Sequence, residues 1–522
     1  MHRIILFSVA RMNCVRRLKE KGTLVNIATE FKDATVGAAL DKAFALDLLK
    51  TGSFIDGAWI EHADDPTFPV VDPASREVLC QVADHGAAEA QAAIDAADKA
   101  LADWKATTPR ARAALMEAWC ALVEQHKEVL AQILTLENGK PLAESLAEIG
   151  YGNSYIKWYA EEAKRIEGAI LPSLVPDAQA IVTREPVGVV AAVTPWNFPS
   201  AMLARKVAPA LAAGCTIVVK PSDETPLSAL ALTELASRAG IPAGVINVVV
   251  GKDAPAIGGV FTGSEVVRKI SFTGSTAVGK LLLEQCARTV KKASMELGGN
   301  APFIVFDDAD MDKAIDGLMV CKYRNAGQVC TATNRVLVQR GIYDRFAAAF
   351  AKRAAALQHG HGLQGCDLGP LINDASLTKV QTLVDSAMAD GASVVCGGKR
   401  AEDAPYHYLP TVMTGITTNM QIAGTEVFGP VAALIPFESE DEAVEIANST
   451  EYGLASYFYT TDTARMWRVR GALEFGMVGV NTCALGNEIA PFGGVKESGI
   501  GREGGREGIE EYLESKYALM AP

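Results

Sequence analysis

The sequence predicts an α/β protein: two alternating domains with parallel-type sheets, plus a small β arm. Three observations predict it. Short, almost uninterrupted apolar runs, such as residues 187–193 and 215–219, alternate with stretches of helical period. Strands covered by helices on both faces read this way. The alternation occurs twice, before about residue 298 and again from 301 to about 480, in a 522-residue chain too long for one core. Finally, Pro172, Pro176 and Pro186 frame Ile181-Val182-Thr183, a short strand free to project, and an exposed strand edge calls for a partner.

In chain order, the apolar pattern begins near Asp41, and residues 52–60 read as a hairpin turning at Asp56-Gly57. Helical spacing follows over 87–104, 109–125 and from 128 onward, where the Ala, Leu and Met side chains serve as core contacts. The strand at 187–193 ends in Thr194-Pro195-Trp196-Asn197-Phe198-Pro199. A helix at 202–213 leads to a strand at 215–219, closed by Lys220-Pro221-Ser222-Asp223. The helix at 226–239 has Pro at its start and Gly240 just past its end. Strands are expected at 245–250 and 269–272, then a helix over 276–292. In the second region strands fall at 303–306, 335–339, 393–395, 431–437 and 456–459, with helices at 343–357, 377–389 and 441–448. Parallel sheets bind ligands at the carboxyl ends of their strands, which directs attention to 194–197, 220–223 and Gly274-Ser275.

Composition narrows the function. Apolar residues make up 49% and charged residues 21%, the balance of an ordinary globular chain. A net charge of −13 argues against nucleic acid or an anionic membrane as the main partner, while leaving room for a small anion held by local arginines. The ten cysteines are scattered without a CxxC pair, a reduced, intracellular pattern that gives neither a disulfide framework nor a zinc site. There is no HExxH, and His359 and His361 read as a solvated turn, so no metal is expected. Residues 1–22 carry six Lys/Arg against one Glu, a bias shared with mitochondrial transit peptides. The simpler reading is an unstructured leader and a cytoplasmic protein.

Two residues invite chemistry. Cys330 closes the polar, Gly-containing segment Tyr323-Arg-Asn-Ala-Gly-Gln-Val-Cys330, where a thiol is open to a substrate. Glu296 lies in Met295-Glu-Leu-Gly-Gly-Asn300, beside glycines that permit close approach. Together they suggest a nucleophile and a base. Gly274-Ser275-Thr276 sits between a strand and a helix; a phosphate on the free N–H groups explains it, and so does close helix–strand packing. Gly360-x-Gly362-x-x-Gly365 and Gly499-x-Gly501-x-x-Gly504 match a dinucleotide fingerprint by letter only, since neither joins a strand to a helix.

These segments carry a family resemblance. Thr194-Pro-Trp-Asn-Phe-Pro199, Lys220-Pro-Ser-Asp223, Phe272-Thr-Gly-Ser-Thr276, Met295-Glu-Leu-Gly-Gly299, Asn325-Ala-Gly-Gln-Val-Cys330, Glu426-Val-Phe-Gly-Pro430 and Pro491-Phe-Gly-Gly494 resemble the NAD(P)-dependent aldehyde dehydrogenases, from about residue 50 to the C-terminus. The resemblance implies that fold, with a leader over 1–35, an NAD-binding domain at 36–168 and 187–298, and a catalytic domain at 299–496. Residues 169–186 and 497–522 would form an oligomerisation arm and C-terminal segment of a homodimer or homotetramer. It implies Cys330 as nucleophile, Asn197 and the Cys330 N–H as oxyanion donors, and Glu296 as the base that activates water on the thioester. Lys220 and Glu426 would reach the riboses, Ser275 with Gly274 the pyrophosphate, and Trp196 and Phe428 the nicotinamide end, with Thr194 and Leu297 beside them. Asp223 would accept a ribose 2′-OH and repel a 2′-phosphate, so NAD is preferred and NADP is the alternative. Asp223 also reads as a helix cap before Pro226.

The stretch 322–330, with Ala204-Arg205-Lys206 and 496–517, is most similar to the succinate-semialdehyde branch, whose two substrate-clamping arginines map to Arg205 and Arg324. An arginine fork matches a carboxylate bidentately. Two departures stand out. Gly486 occupies a position where the branch commonly has a substrate-binding serine, which brings glutarate semialdehyde and sulfolactaldehyde into range. Ala332 stands where several members have a second cysteine, so no Cys330 disulfide switch is expected. Outside this class, a cofactor-free thiol hydrolase or an inactive binding protein would explain fewer of the segments.

Overall fold

The computed structural model describes residues 33–61, 64–402 and 404–522. The basic stretch 1–22 lies outside them. The expected leader ends sooner than residue 35, because Asp33 accepts the Thr35 N–H at 2.7 Å and caps the helix Ala34–Ala45.

Two sheets organise the chain. The first has eight strands in the order Gly499–Ile500, Lys292–Glu296, Val267–Thr273, Val189–Val193, Thr216–Lys220, Ile246–Val248, Ser53–Ile55 and Ala58–Ile60. Its five central strands run parallel, and the added edges are antiparallel. The hairpin turns where expected, with positive φ at both Asp56 and Gly57, the geometry that a right-twisted two-residue hairpin requires. The second sheet has seven strands: Ser393–Cys396, Thr411–Thr414, Val431–Phe437, Thr333–Gln339, Ala301–Val305, Ala455–Tyr459 and Met477–Val480. Only its Ser393–Cys396 edge is antiparallel. Each sheet lies against a separate apolar core, one around Trp104 and Trp119, the other around Phe303 and Phe346.

In several places the structure departs from the elements expected of the sequence. The helix after Ser275 stops at Ala287, and Lys292–Glu296 is a strand paired in register with Val267–Thr273. Its Lys-Ala-Ser-Met-Glu composition lacks the β-branched run that marks its neighbours. Further strands, among them Thr67–Val71, Val78–Ala83, Thr411–Thr414 and Met477–Val480, and further helices, among them Leu142–Glu162, Ala254–Gly263 and Thr463–Ala472, add to the expected elements. His361 is not on a solvated turn: its Nε2 lies 3.0 Å from Asp72 Oδ2 and it caps a short 3₁₀ turn.

The projecting strand exists and is longer than expected. Gln179–Pro186 pairs antiparallel with Ala169–Leu171 on one side and with Leu513–Met520 on the other. Ile170, Leu174, Tyr517 and Met520 on this sheet and its loop stand exposed.

Candidate active site

The carboxyl edge of the first sheet faces the amino edge of the second. Glu296 ends one strand of the first sheet; Gly298 and Gly299 carry the chain across, and Ala301 begins a strand of the second. Cys330 lies just before the second-sheet strand Thr333–Gln339, and Glu426 and Phe428 just before Val431–Phe437. A side chain at 299 would run into the Cys330 carbonyl, so glycine there lets the Glu296 segment approach the turn that carries Cys330.

That turn is unusual backbone. Asn325, Ala326 and Gly327 all have positive φ after the helix Met311–Tyr323 ends. The Asn325 N–H donates to Glu144 Oε2 at 2.7 Å, and its side-chain amide donates to the Asn197 carbonyl at 3.0 Å. Gln328 is fully buried; its Nε2 donates to the Pro370 carbonyl while its Oε1 accepts the Ile372 N–H at 2.9 Å. These bonds fix the turn that presents Cys330.

Asn197 is held with equal care. Lys140 Nζ donates to its carbonyl at 2.7 Å and pairs with Glu148 at 2.6 Å. The same Glu148 accepts the Ser200 and Ala201 N–H groups, capping the helix Pro199–Ala213. The Asn197 side-chain Nδ2 donates to the Gln328 carbonyl at 2.9 Å, which uses one of its two hydrogens. The Cys330 backbone N–H has no partner among the described residues.

Glu296 is buried, and neither carboxyl oxygen has an aligned hydrogen bond among the described residues. Burial is the main cause that pushes its pKa to about 7, opposed by Arg205. Burial first, and then Glu296, raise the Cys330 thiol well above its ordinary range. The thiol and the carboxyl are thus close enough to shift each other. Both shifts favour the proton on sulfur in the resting pair, with the Glu296 carboxyl titrating near neutrality.

Arg205 is buried on the helix Pro199–Ala213, its guanidinium 4.1 Å from the Phe492 ring centre and 5.5 Å from that of Tyr155. It also sits 2.7 Å from Glu503, without an aligned hydrogen bond, while Lys206 meets the other Glu503 oxygen at 2.6 Å. Arg324 is exposed, stacked near the Phe198 ring at 5.4 Å. Both arginines therefore border the Cys330–Asn197 region, one committed to an ion pair and one open to solvent.

The remaining candidates lie at the ends of the neighbouring strands and at the start of the helix Thr276–Ala287. The Trp196 and Phe428 rings meet edge to face, 5.5 Å apart. Lys220 is buried, its Nζ on the Pro221 carbonyl at 3.0 Å; burial lowers its pKa, and the charge of Asp223 opposes that shift. Glu426 accepts the Gly299 N–H at 2.9 Å, and burial lifts its pKa to about 7. Thr194 Oγ1 is buried without a partner among the described residues. Leu297 is buried, its N–H donating to the Ser498 carbonyl at 3.0 Å. Ser275 caps the helix Thr276–Ala287, and Gly274 precedes it. A helix start, a buried lysine and an orphaned hydroxyl fit a dinucleotide. Asp223 does not cap the helix Pro226–Arg238; Glu137 does, accepting the Leu227 and Ser228 N–H groups at 2.7 and 2.8 Å. That leaves the Asp223 carboxylate available.

Sequence reasoning missed Lys140, Glu148, Lys206, Glu503 and the inner face of Leu142–Glu162. Glu144, Glu148, Tyr151 and Tyr155 recur at intervals of four, three and four, a polar stripe at helical period that signalled this face.

A model described as the aldehyde dehydrogenase family matches residues 59–518. The 3-sulfolactaldehyde dehydrogenase of Pseudomonas putida is 55% identical, over 91% of this chain and 97% of that protein. The NADP(+) succinate-semialdehyde dehydrogenase of Escherichia coli strain K12 is 50% identical, over 91% and 98%. A crystal structure of succinate-semialdehyde dehydrogenase from Burkholderia pseudomallei superposes with a TM-score of 0.90 at 52% identity, covering 91% of this chain and 99% of that one.

Proposed function

The chain belongs to the aldehyde dehydrogenase family, and from that premise we propose that it oxidises succinate semialdehyde to succinate with NAD. The observation that carries this is the convergence of a thiol, a near-neutral buried carboxyl and an amide donor beside two arginines. Similarity to succinate-semialdehyde and sulfolactaldehyde dehydrogenases supports an anionic aldehyde as the substrate class.

Cys330 sulfur bonds to the aldehyde carbon, its proton passing to Glu296, while the carbonyl oxygen becomes an oxyanion. Asn197 Nδ2 and the Cys330 N–H donate to that oxygen. Losing such a donor costs about a hundredfold or more in rate. A bound nicotinamide supplies the hydride acceptor. Hydride loss from the former aldehyde carbon leaves a thioester. Glu296, after passing its first proton to solvent, removes a proton from water, whose oxygen attacks the thioester carbon. As the C–S bond breaks, Glu296 returns this proton to sulfur. Per turnover one aldehyde, one water and one NAD⁺ give one carboxylate, one NADH and two protons. An acid at 296 favours water over coenzyme A as the acyl acceptor, as in the family members that form free acids.

Lys220, Asp223, Gly274, Ser275, Glu426, Trp196 and Phe428 would hold the dinucleotide, with Thr194 and Leu297 adjoining. The available Asp223 carboxylate supports NAD over NADP. Residues 36–168 and 187–298 form the NAD-binding unit and 299–496 the catalytic unit in this reading. The exposed apolar arm is the contact of a homo-oligomer, and the scattered cysteines suit the cytoplasm.

Gly486 favours a second reading, the same chemistry on glutarate semialdehyde or sulfolactaldehyde. One experiment tests both: steady-state rates with NAD on a panel of ω-anionic aldehydes and propanal, beside Cys330→Ala and Arg324→Ala. Cys330→Ala should abolish turnover. Unchanged efficiency of Arg324→Ala on succinate semialdehyde would remove the arginine clamp.

A further inference from the structure

Tyr151 is a half-buried residue on the helix Leu142–Glu162, one turn before the fully buried Tyr155. The two rings meet edge to face at 5.1 Å, and their hydroxyl oxygens are 3.1 Å apart. Tyr155 Oη lies 3.0 Å from the Asn487 carbonyl, to which it donates its one hydrogen. The hydrogen of the Tyr151–Tyr155 contact must therefore come from Tyr151. Tyr155 anchors the 481–492 loop, whereas Tyr151 spends its donor on a neighbour that is already satisfied.

Position 486 lies directly against this hydroxyl. A Cβ built on Gly486 would stand 3.2 Å from Tyr151 Oη, closer than most side-chain contacts allow. Glycine leaves that space open, and the loop there is exposed. Arg205, over the Tyr155 ring, ties the pair to the nucleophile, for its charge acts on both Glu296 and Cys330 and on it act Tyr151 and Tyr155. Asn487 Oδ1, buried and without a partner among the described residues, adds a polar group at the same end.

We propose that the Tyr151 hydroxyl turns from Tyr155 to donate to the far anionic group of the substrate, and that the space at Gly486 admits a head group larger than a carboxylate, such as a sulfonate. The assignment rests on the aldehyde-oxidation reading above. Tyr151 supplies a neutral donor to complement the charges of Arg205 and Arg324, and the absent side chain at 486 sets the size limit. A carboxylate offers two oxygens in a plane, and a sulfonate offers three around a tetrahedral centre. Donors from Tyr151 and the two arginines, on three separate segments, can address the latter from different sides.

The test compares kcat/KM for succinate semialdehyde, 3-sulfopropanal and propanal, with NAD, in wild type, Tyr151→Phe and Gly486→Ala. Tyr151→Phe should lower the ratio of anionic aldehyde to propanal about tenfold, the loss of one hydrogen bond to a charged group. Gly486→Ala should lower the ratio of 3-sulfopropanal to succinate semialdehyde about tenfold through loss of room. A general folding defect would reduce all three substrates together and leave the ratios alone, and Gly486→Ala, on an exposed loop, reports even if Tyr151→Phe folds poorly. Ratios within twofold of wild type in both variants overturn the proposal. Wild-type protein that oxidises none of the aldehydes with either nicotinamide cofactor overturns instead the reading on which it rests.

Discussion

Lys140 Nζ lies 2.6 Å from Glu148 Oε2, a fully buried ion pair directly beneath the backbone of Asn197. Desolvation lowers the Lys140 pKa and Glu148 opposes that shift. Each partner also does something more. The lysine holds the Asn197 carbonyl, and the carboxylate caps the helix that follows. The pair therefore locks Asn197, the proposed oxyanion donor, to the start of its own helix. Removing one partner leaves an uncompensated buried charge, which typically costs about 3–5 kcal/mol. Lys140→Met should lower the melting temperature and reduce kcat more than it raises KM, since Asn197 would be misplaced for the transition state. Chemical denaturation beside steady-state kinetics checks both. A variant with normal kcat would show that Asn197 needs no such support.

Glu296 should dominate the pH profile. With its pKa near 7, the basic form is lost as pH falls, so kcat should drop about tenfold per pH unit below about 6. Glu296→Gln should lower steady-state turnover about a hundredfold or more and flatten that limb. Its first turnover should still release NADH, because thioester hydrolysis needs the base more than hydride loss does. Rapid-mixing absorbance reads this as a burst of about one equivalent per Cys330. A slow linear trace without a burst would assign Glu296 to thiol activation as its main role.

The same residue makes a stability prediction of opposite sense. Its folded pKa of about 7 stands above the ordinary value of 4.5. Between these values the native state binds more protons than the unfolded one, so stability falls as pH rises through the window. The penalty is full above about pH 7 and absent below about pH 4.5, amounting to about 3 kcal/mol at most from the size of the shift. Glu296→Gln should accordingly be more stable than wild type at pH 8 and lose that advantage at pH 5. Thermal melts at the two values decide it. Glu137, pushed to about 8 by burial while capping the helix Pro226–Arg238, contributes a background in the same direction in both proteins.

Asp223 should set cofactor choice. Glu137 caps the neighbouring helix, so the Asp223 carboxylate has no structural duty there. Asp223→Ser should raise the NADP-to-NAD ratio of kcat/KM by at least tenfold, by removing repulsion of the 2′-phosphate and a partner of the 2′-OH. Melting temperature should move little. A wild-type preference for NADP would overturn this role for Asp223 before the variant is made.

What can be read from residues alone follows physical lines. Apolar runs such as Val189–Val193 and Val431–Phe437 announce buried parallel strands because both faces must be covered. Their polar ends, at Thr194, Lys220 and Gly274, then fall where ligands bind. Lys292–Glu296 escapes such a reading because a polar strand end looks like the tail of the preceding helix. The pairs Lys140–Glu148 and Lys206–Glu503 escape it for another reason. A lone Lys or Glu in a sequence reads as solvated, and only the fold shows that Lys206 meets a carboxylate 297 residues away. The stripe along Leu142–Glu162 is legible, since polar residues recurring at helical period inside a buried helix need partners.

Ala332 bears on oxidation. Cys330 is free, as are the other cysteines among the described residues, and position 332 offers no thiol two residues on. Burial and Glu296 keep the Cys330 thiol protonated in the resting protein, and the protonated thiol is the poorer nucleophile toward peroxide. Inactivation by hydrogen peroxide should therefore be slow. Sulfenic acid formed on Cys330 has no adjacent thiol to condense with and should proceed to sulfinic acid, which dithiothreitol does not reduce. Peptide mass mapping after peroxide should show a gain of two oxygens on the peptide carrying Cys330, with activity unrecovered on reduction. A Cys330→Ala control should lose that adduct. Full recovery with dithiothreitol, together with a disulfide-linked peptide containing Cys330, would falsify the expectation. Replacing Ala332 by Cys should then create the missing step: faster loss of activity in peroxide, and its return when reductant is added.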